Sequence, residues 1–151
     1  MKKYIITIMF SIFAIISCEK DDICIENTTP NLIIRFYDND NQTETKQIVL
    51  DSVWANNKEN IYKNETIDSI IVLPLDLSQN NTLFKFSSNS SEDEINFTYD
   101  RNDIFVSRSC GYKTIFENLQ IDSNSSNWIK NISINNTIIE NDTAAHITIF
   151  H

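Results

Sequence analysis

Glycine is nearly missing from this chain. Gly111 stands alone among 151 residues. Phosphate-cradling loops, dinucleotide fingerprints and the nucleophile elbow of the hydrolases each need two or more glycines at fixed spacing. All three are therefore excluded. Basic residues are also scarce, 12 lysines and arginines against 21 acids, for a formal net charge of −9. A chain of this sign repels nucleic acid, and no basic patch argues for DNA or RNA. Only two histidines occur, His146 and His151, and neither has a paired carboxylate and nucleophile in the sequence to make a triad. Beyond the first 18 residues no apolar run is long enough to enter a membrane; the longest, Ile70-Ile71-Val72-Leu73, has the size of a strand.

The amino-terminal segment is the richest in information. Lys2 and Lys3 are followed by an almost wholly apolar stretch from Tyr4 to Ser17, the pattern of a secretory leader. It ends in Ile15-Ile16-Ser17-Cys18, which resembles the lipobox cut by bacterial lipoprotein signal peptidase. The resemblance implies removal of residues 1–17, with diacylglycerol on the Cys18 thiol and an acyl chain on its amine. Two or three such chains hold firmly where one is marginal, because each buried methylene contributes about 0.8 kcal/mol. The alternatives are a leader cleaved without lipidation and a simple transmembrane anchor. The apolar stretch is short of the roughly 20 residues that a spanning helix needs. The next residues, Cys18-Glu19-Lys20-Asp21-Asp22, look like the lipoprotein export signal of Bacteroidota. That likeness implies transfer to the outer leaflet of the outer membrane, facing the medium. A merely solvated acidic tether is the plainer reading.

With Cys18 assigned to lipid, Cys24 and Cys110 remain. An oxidising compartment makes a disulfide between them the natural expectation, closing a loop of about 86 residues worth roughly 4.5 kcal/mol by chain entropy. Two free thiols are the alternative. A metal site is weaker still, since His146 and His151 are the remaining soft ligands.

Alternation dominates over helical periodicity. Leu32, Ile34 and Phe36 share one face, and Ile95, Phe97 and Tyr99 share another against polar neighbours. Ile67–Leu73 is apolar on both faces, as a central strand would be. Further strands are expected near Thr45–Val53, Leu83–Ser87, Ile104–Ser107, Tyr112–Phe116, Trp128–Ile134 and Ala145–Phe150. Asparagine, aspartate and serine clusters separate them at 38–41, 78–81, 87–93, 100–103, 122–127 and 140–142. The expectation is an all-β, antiparallel β-sandwich, immunoglobulin-like or prealbumin-like. Residues 1–17 are the leader, 18–30 a lipidated acidic tether and 31–151 one sandwich domain. Asparagine tolerates positive φ and replaces the missing glycines.

Several residues are candidates for sites. Asp38-Asn39-Asp40-Asn41-Gln42 begins like a calcium loop but lacks the glycine and the closing glutamate, so a plain turn is expected. Glu92, Asp93, Glu94, Asp100 and Asp103 would hold Ca²⁺ only if they met at one end of the sandwich; solvated turns are the simpler reading. Trp54, Trp128, Tyr37, Tyr62 and Tyr112 would serve as sugar-stacking platforms if they lined up at the surface, and otherwise belong to the core. Asp51-Ser52-Val53, Asp68-Ser69-Ile70 and Asp142-Thr143-Ala144 resemble the O-glycosylation sequon of Bacteroidota, which implies sugars on Ser52, Ser69 or Thr143 where these face solvent. No catalytic, cofactor or metal residue is assigned, and no cofactor is expected.

Three stretches carry a family resemblance: Cys18-Glu19-Lys20-Asp21-Asp22-Ile23-Cys24, Thr29 to Asp38 and Phe105 to Tyr112, with Ala145 to Phe150 at the end. The mature chain resembles an uncharacterised family of small Bacteroidota lipoproteins, catalogued as a domain of unknown function. The likeness implies no activity. It does set Cys24 and Cys110 within its most recognisable stretches. The function expected is a non-enzymatic binding or structural module of the cell envelope, anchored through lipid on Cys18, with an outer-membrane protein as partner. A surface glycan-binding module is the runner-up and an envelope hydrolase the third.

Overall fold

The computed structural model describes residues 23–25, 29–55 and 60–151. The leader, Cys18 and the export signal lie outside the described residues. Among those described, the fold is all-β with no helix. Nine strands among the described residues form two sheets. The first sheet is built from β1 (Leu32–Tyr37), β4 (Ile70–Leu73), β8 (Asn131–Ile134) and β9 (Ile147–Phe150), in the order β4-β1-β9-β8. The second contains β2 (Ile48–Ala55), β3 (Asn60–Ile67), β5 (Asn81–Ser88), β6 (Ser91–Ser107) and β7 (Gly111–Asn124), in the order β3-β2-β5-β6-β7.

One core joins the sheets. Leu32, Ile34 and Phe36 of β1 and Ile147 and Ile149 of β9 meet Phe84 and Phe86 of β5 and Ile95 and Phe97 of β6, all fully buried. Alternation explains their selection, since every second side chain of a strand points the same way. Each fully buried phenylalanine or isoleucine contributes about 1.5–3 kcal/mol. Tyr99 closes one end. Its hydroxyl donates to the Asp76 carbonyl at 2.9 Å and lies 2.6 Å from Thr82 Oγ1, which accepts the Asp76 amide at 2.9 Å. Every polar atom of that corner is thereby satisfied within the protein.

Asparagine does take glycine's place at tight turns. Asn89 (φ 50°) and Ser90 (φ 63°) form the two-residue β5–β6 turn, where both positions need positive φ. Asp51 Oδ2 accepts the Ser90 amide at 3.0 Å and secures it. Asn118 (φ 53°) sits where the β6–β7 register shifts between Thr98 and Asp100.

Several features depart from the sequence expectation; the strand expected at Trp128–Ile134 forms only over Asn131–Ile134, and β7 runs to Asn124 into the turn expected at 122–127. β1 and β9 pair in parallel, Ile34 opposite Ile147, so the sheets are mostly but not wholly antiparallel. Ile67–Leu73 is not a central strand: a bend at Asp68-Ser69 divides it, and β4 is an edge on which Ile70 and Val72 are exposed while Ile71 and Leu73 are buried. Asp100–Asp103 is not a turn, because β6 runs through it in register with β7. Finally, β3 forms a strand in a segment too polar to suggest one.

Candidate functional site

The disulfide joins Cys24 to Cys110 with a Cα separation of 4.9 Å across 86 residues. Cys110 lies in the turn between β6 and β7, where Gly111 takes φ +72° and Ser107 Oγ accepts the Cys110 amide at 3.1 Å. The segment before β1 is therefore fastened to the tip of a hairpin. It is held again by Thr29, whose Oγ1 accepts the Thr114 amide at 3.2 Å, and by Asn31, whose amide donates to Asp142 Oδ1 at 2.7 Å. Contacts with the domain thus begin before residue 31. Beside the disulfide, Phe105 and Tyr112 stand opposite each other with ring centroids 5.4 Å apart, both exposed.

Asp93 occupies the other end of the β6–β7 ribbon. It is fully buried and lies on the same strand face as Ile95 and Phe97. Its carboxylate accepts Ser125 Oγ (2.6 Å) and the backbone amides of Asn127 (2.7 Å), Trp128 (2.8 Å) and Ile129 (2.8 Å). Burial pushes its pKa up, but these donors outweigh that and hold it below the ordinary value of 3.8. The group is a structural hub for residues 125–129. Glu92 and Glu94 face the other way, onto Lys85 at 3.2 and 2.7 Å. Asp100 accepts Asn118 Nδ2 at 2.7 Å, and Asp103 accepts Thr114 Oγ1 at 2.5 Å. The five acids are thus spread along one strand. Among the described residues no group of three His, Cys, Asp or Glu side chains is placed to hold a metal ion. Asp38 caps its own turn, accepting the Asp40 amide at 2.7 Å, and pairs with Lys46 at 3.2 Å. The Asp40 amide and Lys46 lower its pKa.

His146 is buried in the bend just before β9, which begins at Ile147 rather than at the expected Ala145. Its Nδ1 accepts the Ile33 amide at 3.1 Å while its own amide donates to the Ile33 carbonyl at 2.9 Å. Burial lowers its pKa, so the neutral ring, with Nδ1 unprotonated and accepting that amide, is favoured. His151 packs edge-on against Phe36 (5.9 Å) and Trp128 (6.0 Å), and burial lowers its pKa too.

The remaining aromatic candidates are dispersed. Trp128 donates Nε1 to the Phe86 carbonyl at 3.3 Å, Tyr37 packs on Phe150, and Tyr62 bonds through its hydroxyl to the Val72 amide (3.1 Å) and carbonyl (3.3 Å). Trp54 is half-buried on β2, and Tyr112 alone of the five is widely exposed. They form no row. Of the sequon residues, Thr143 is exposed with its hydroxyl on Asn141 Oδ1, whereas Ser52 and Ser69 are half-buried. Shallow clefts lie among the described residues. One of about 290 Å³ lies between β7 and β8, lined by Ile121, Asn124, Ile129, Lys130, Asn131 and Ile132. Another, of about 320 Å³, lies at the β7 bulge, lined by Asn80, Thr98, Tyr99, Asp100, Asn118 and Gln120.

A family model described as "Family of unknown function (DUF6452)" matches residues 50–151. The chain belongs to this family. No curated protein and no solved structure matches it. The matched span begins within β2 and includes Cys110, Asp93 and the whole β6–β7 hairpin, while Cys24 and β1 precede it.

Proposed function

We propose that this member of DUF6452 is a lipid-anchored, non-enzymatic binding or structural module of the outer membrane, carried by acyl chains on Cys18. The Ile15-Ile16-Ser17-Cys18 sequence is the observation that carries the reading, because the cysteine stands where the cleavage signal ends. The Cys18-Glu19-Lys20-Asp21-Asp22 segment supports the outward-facing leaflet. The disulfide fits an oxidising compartment and gives the anchor a firm purchase on the domain. An outer-membrane protein is the partner we infer. Of the two sandwich types, the prealbumin-like one is favoured by strand order: an immunoglobulin arrangement keeps its first, second, fourth and fifth strands in one sheet, whereas here β1 and β4 lie opposite β2 and β5.

A surface glycan-binding module is the second reading. The cleft at the β7 bulge favours it, since amides and a carboxylate of the Asn118, Gln120 and Asp100 kind suit sugar hydroxyls and Tyr99 offers an aromatic edge. Thr143 is the sequon residue best placed to carry a glycan itself. The anchor reading is tested by replacing Cys18 with alanine in the native organism and fractionating the envelope. The variant is expected to leave the membrane pellet; retention there at the native level would refute the anchor.

A further inference from the structure

The four most exposed large apolar side chains among the described residues are Ile25 (89 %), Ile23 (84 %), Tyr112 (71 %) and Phe105 (58 %). All four lie at one place. Ile23 and Ile25 flank Cys24, and the disulfide sets Cys24 against Cys110, next to the Phe105–Tyr112 pair. The other exposed apolar residues are each less exposed; Leu77 and Ile138 stand apart, and Ile70 and Val72 share the outer face of β4. A gathered apolar patch of this kind marks a contact with something.

Charge is distributed to match. From Ile104 to Lys113 the chain carries Arg108 and Lys113 and no acid, in a protein with 21 acids and 12 bases. Arg108 is exposed, and Lys113 reaches the Glu140 carbonyl at 3.4 Å. Residues 104–113 of the hairpin tip are thus apolar, aromatic and cationic, while Asp21, Asp22 and Glu26 flank the Ile23–Ile25 segment in sequence. Aromatic rings with a polar edge favour the headgroup layer of a bilayer, and cations there meet lipid phosphates.

We propose that this tip is a second membrane contact, seated in the interface of the same bilayer that holds Cys18. The inference rests on the lipid-anchor reading and adds a site to it. Cys24 follows Cys18 by six residue steps, so even a fully extended chain keeps the tip within about 20 Å of the acylated residue. The disulfide converts that leash into a fixed approach, because Cys24 does not move independently of the hairpin. Anchor and tip together orient the sandwich, with the Asp93 end of the β6–β7 ribbon pointing away from the membrane.

The test uses the acylated protein purified from its own membrane. It is reconstituted into phosphatidylethanolamine–phosphatidylglycerol vesicles containing a phospholipid with a photoactivatable group near the glycerol. Crosslinks mapped by mass spectrometry are expected at Phe105–Tyr112 and at Ile23–Ile25, and not on β4. Phe105→Asn with Tyr112→Asn should cut crosslinking at the tip about fivefold, since interfacial binding scales with buried apolar area. Ile70→Asn with Val72→Asn on β4 should leave the pattern unchanged. If intact mass shows acyl chains on Cys18 and the tip stays unlabelled, the second contact is overturned while the anchor stands. Tip-to-tip crosslinks between copies in place of lipid adducts overturn it equally. A Cys18 without acyl chains overturns both.

Discussion

Replacing Asp93 with alanine removes four hydrogen bonds at once and leaves the amides of Asn127, Trp128 and Ile129 without their acceptor, that of Ile129 in the buried interior and the other two at its edge. A buried donor left unpaired costs about 1–3 kcal/mol, and bonds to a charged acceptor are the stronger ones. Some of that loss is recovered if water enters beside the loop, so the expected destabilisation is about 3–5 kcal/mol. A domain of this size has about 5–15 kcal/mol in all. In urea, with a slope near 2 kcal/mol per molar, the midpoint should fall by about 1.5–2.5 M without a change in slope. Asp93→Asn keeps an acceptor oxygen but points an amide donor at other donors, so a smaller loss of about 2–3 kcal/mol is expected. The acid limb supplies a second readout. The folded pKa of Asp93 lies below 3.8, so its contribution is fully present above 3.8 and is lost as the pH falls through the folded value. The asparagine variant should flatten that limb. A midpoint shift under about 0.3 M for the alanine variant would refute the reasoning, since it would mean residues 125–129 are held by other contacts.

Two further outcomes follow from the same geometry. Cys24→Ser with Cys110→Ser should lower stability by about 2–5 kcal/mol with the strand content unchanged, and alkylation of the native protein without reductant should modify neither cysteine; modification of both would contradict the crosslink. His146 has a pKa below 6.5, so the unfolded chain binds its proton first on acidification. Its share of the stability is then complete above about pH 6.5 and is lost at up to about 1.4 kcal/mol per unit until the folded value is reached, and His151, lowered likewise, adds a loss of the same sign. Urea midpoints between pH 7.5 and 5 measure this, and an imidazole resonance titrating at or above 6.5 would contradict it.

The strands that face the core on one side were plain in the sequence, because alternation of Ile95, Phe97 and Tyr99 against Asn96 and Thr98 has a single physical meaning. Elements off the core were hidden. β3 is an edge strand with Lys63, Asn64, Glu65 and Thr66 all exposed, so no apolar period announces it. The 100–103 stretch of β6 is exposed at every residue and held by β7 rather than by burial, so its polar side chains resemble a turn. Parallel pairing of β1 with β9 joins segments from the two ends of the domain, a long-range fact that local patterning does not contain. Asp93 shows how a signal goes unread. It sits two residues before Ile95 and so on the inward face, yet Glu92 and Glu94 on either side give it the look of a solvated cluster. The cysteine pair was legible by elimination. The exposed Phe105–Tyr112 pair was not, because alternation is the same whether the face it defines is covered or bare.

The account depends most on acyl chains at Cys18, and the intact mass of the protein extracted from its own membrane tests that directly. The predicted mass is that of Cys18–His151 with a diacylglycerol and an amide-linked acyl chain added and two hydrogens missing for the disulfide. A polypeptide without acyl groups, or one whose leader is cut at any other bond, would contradict it.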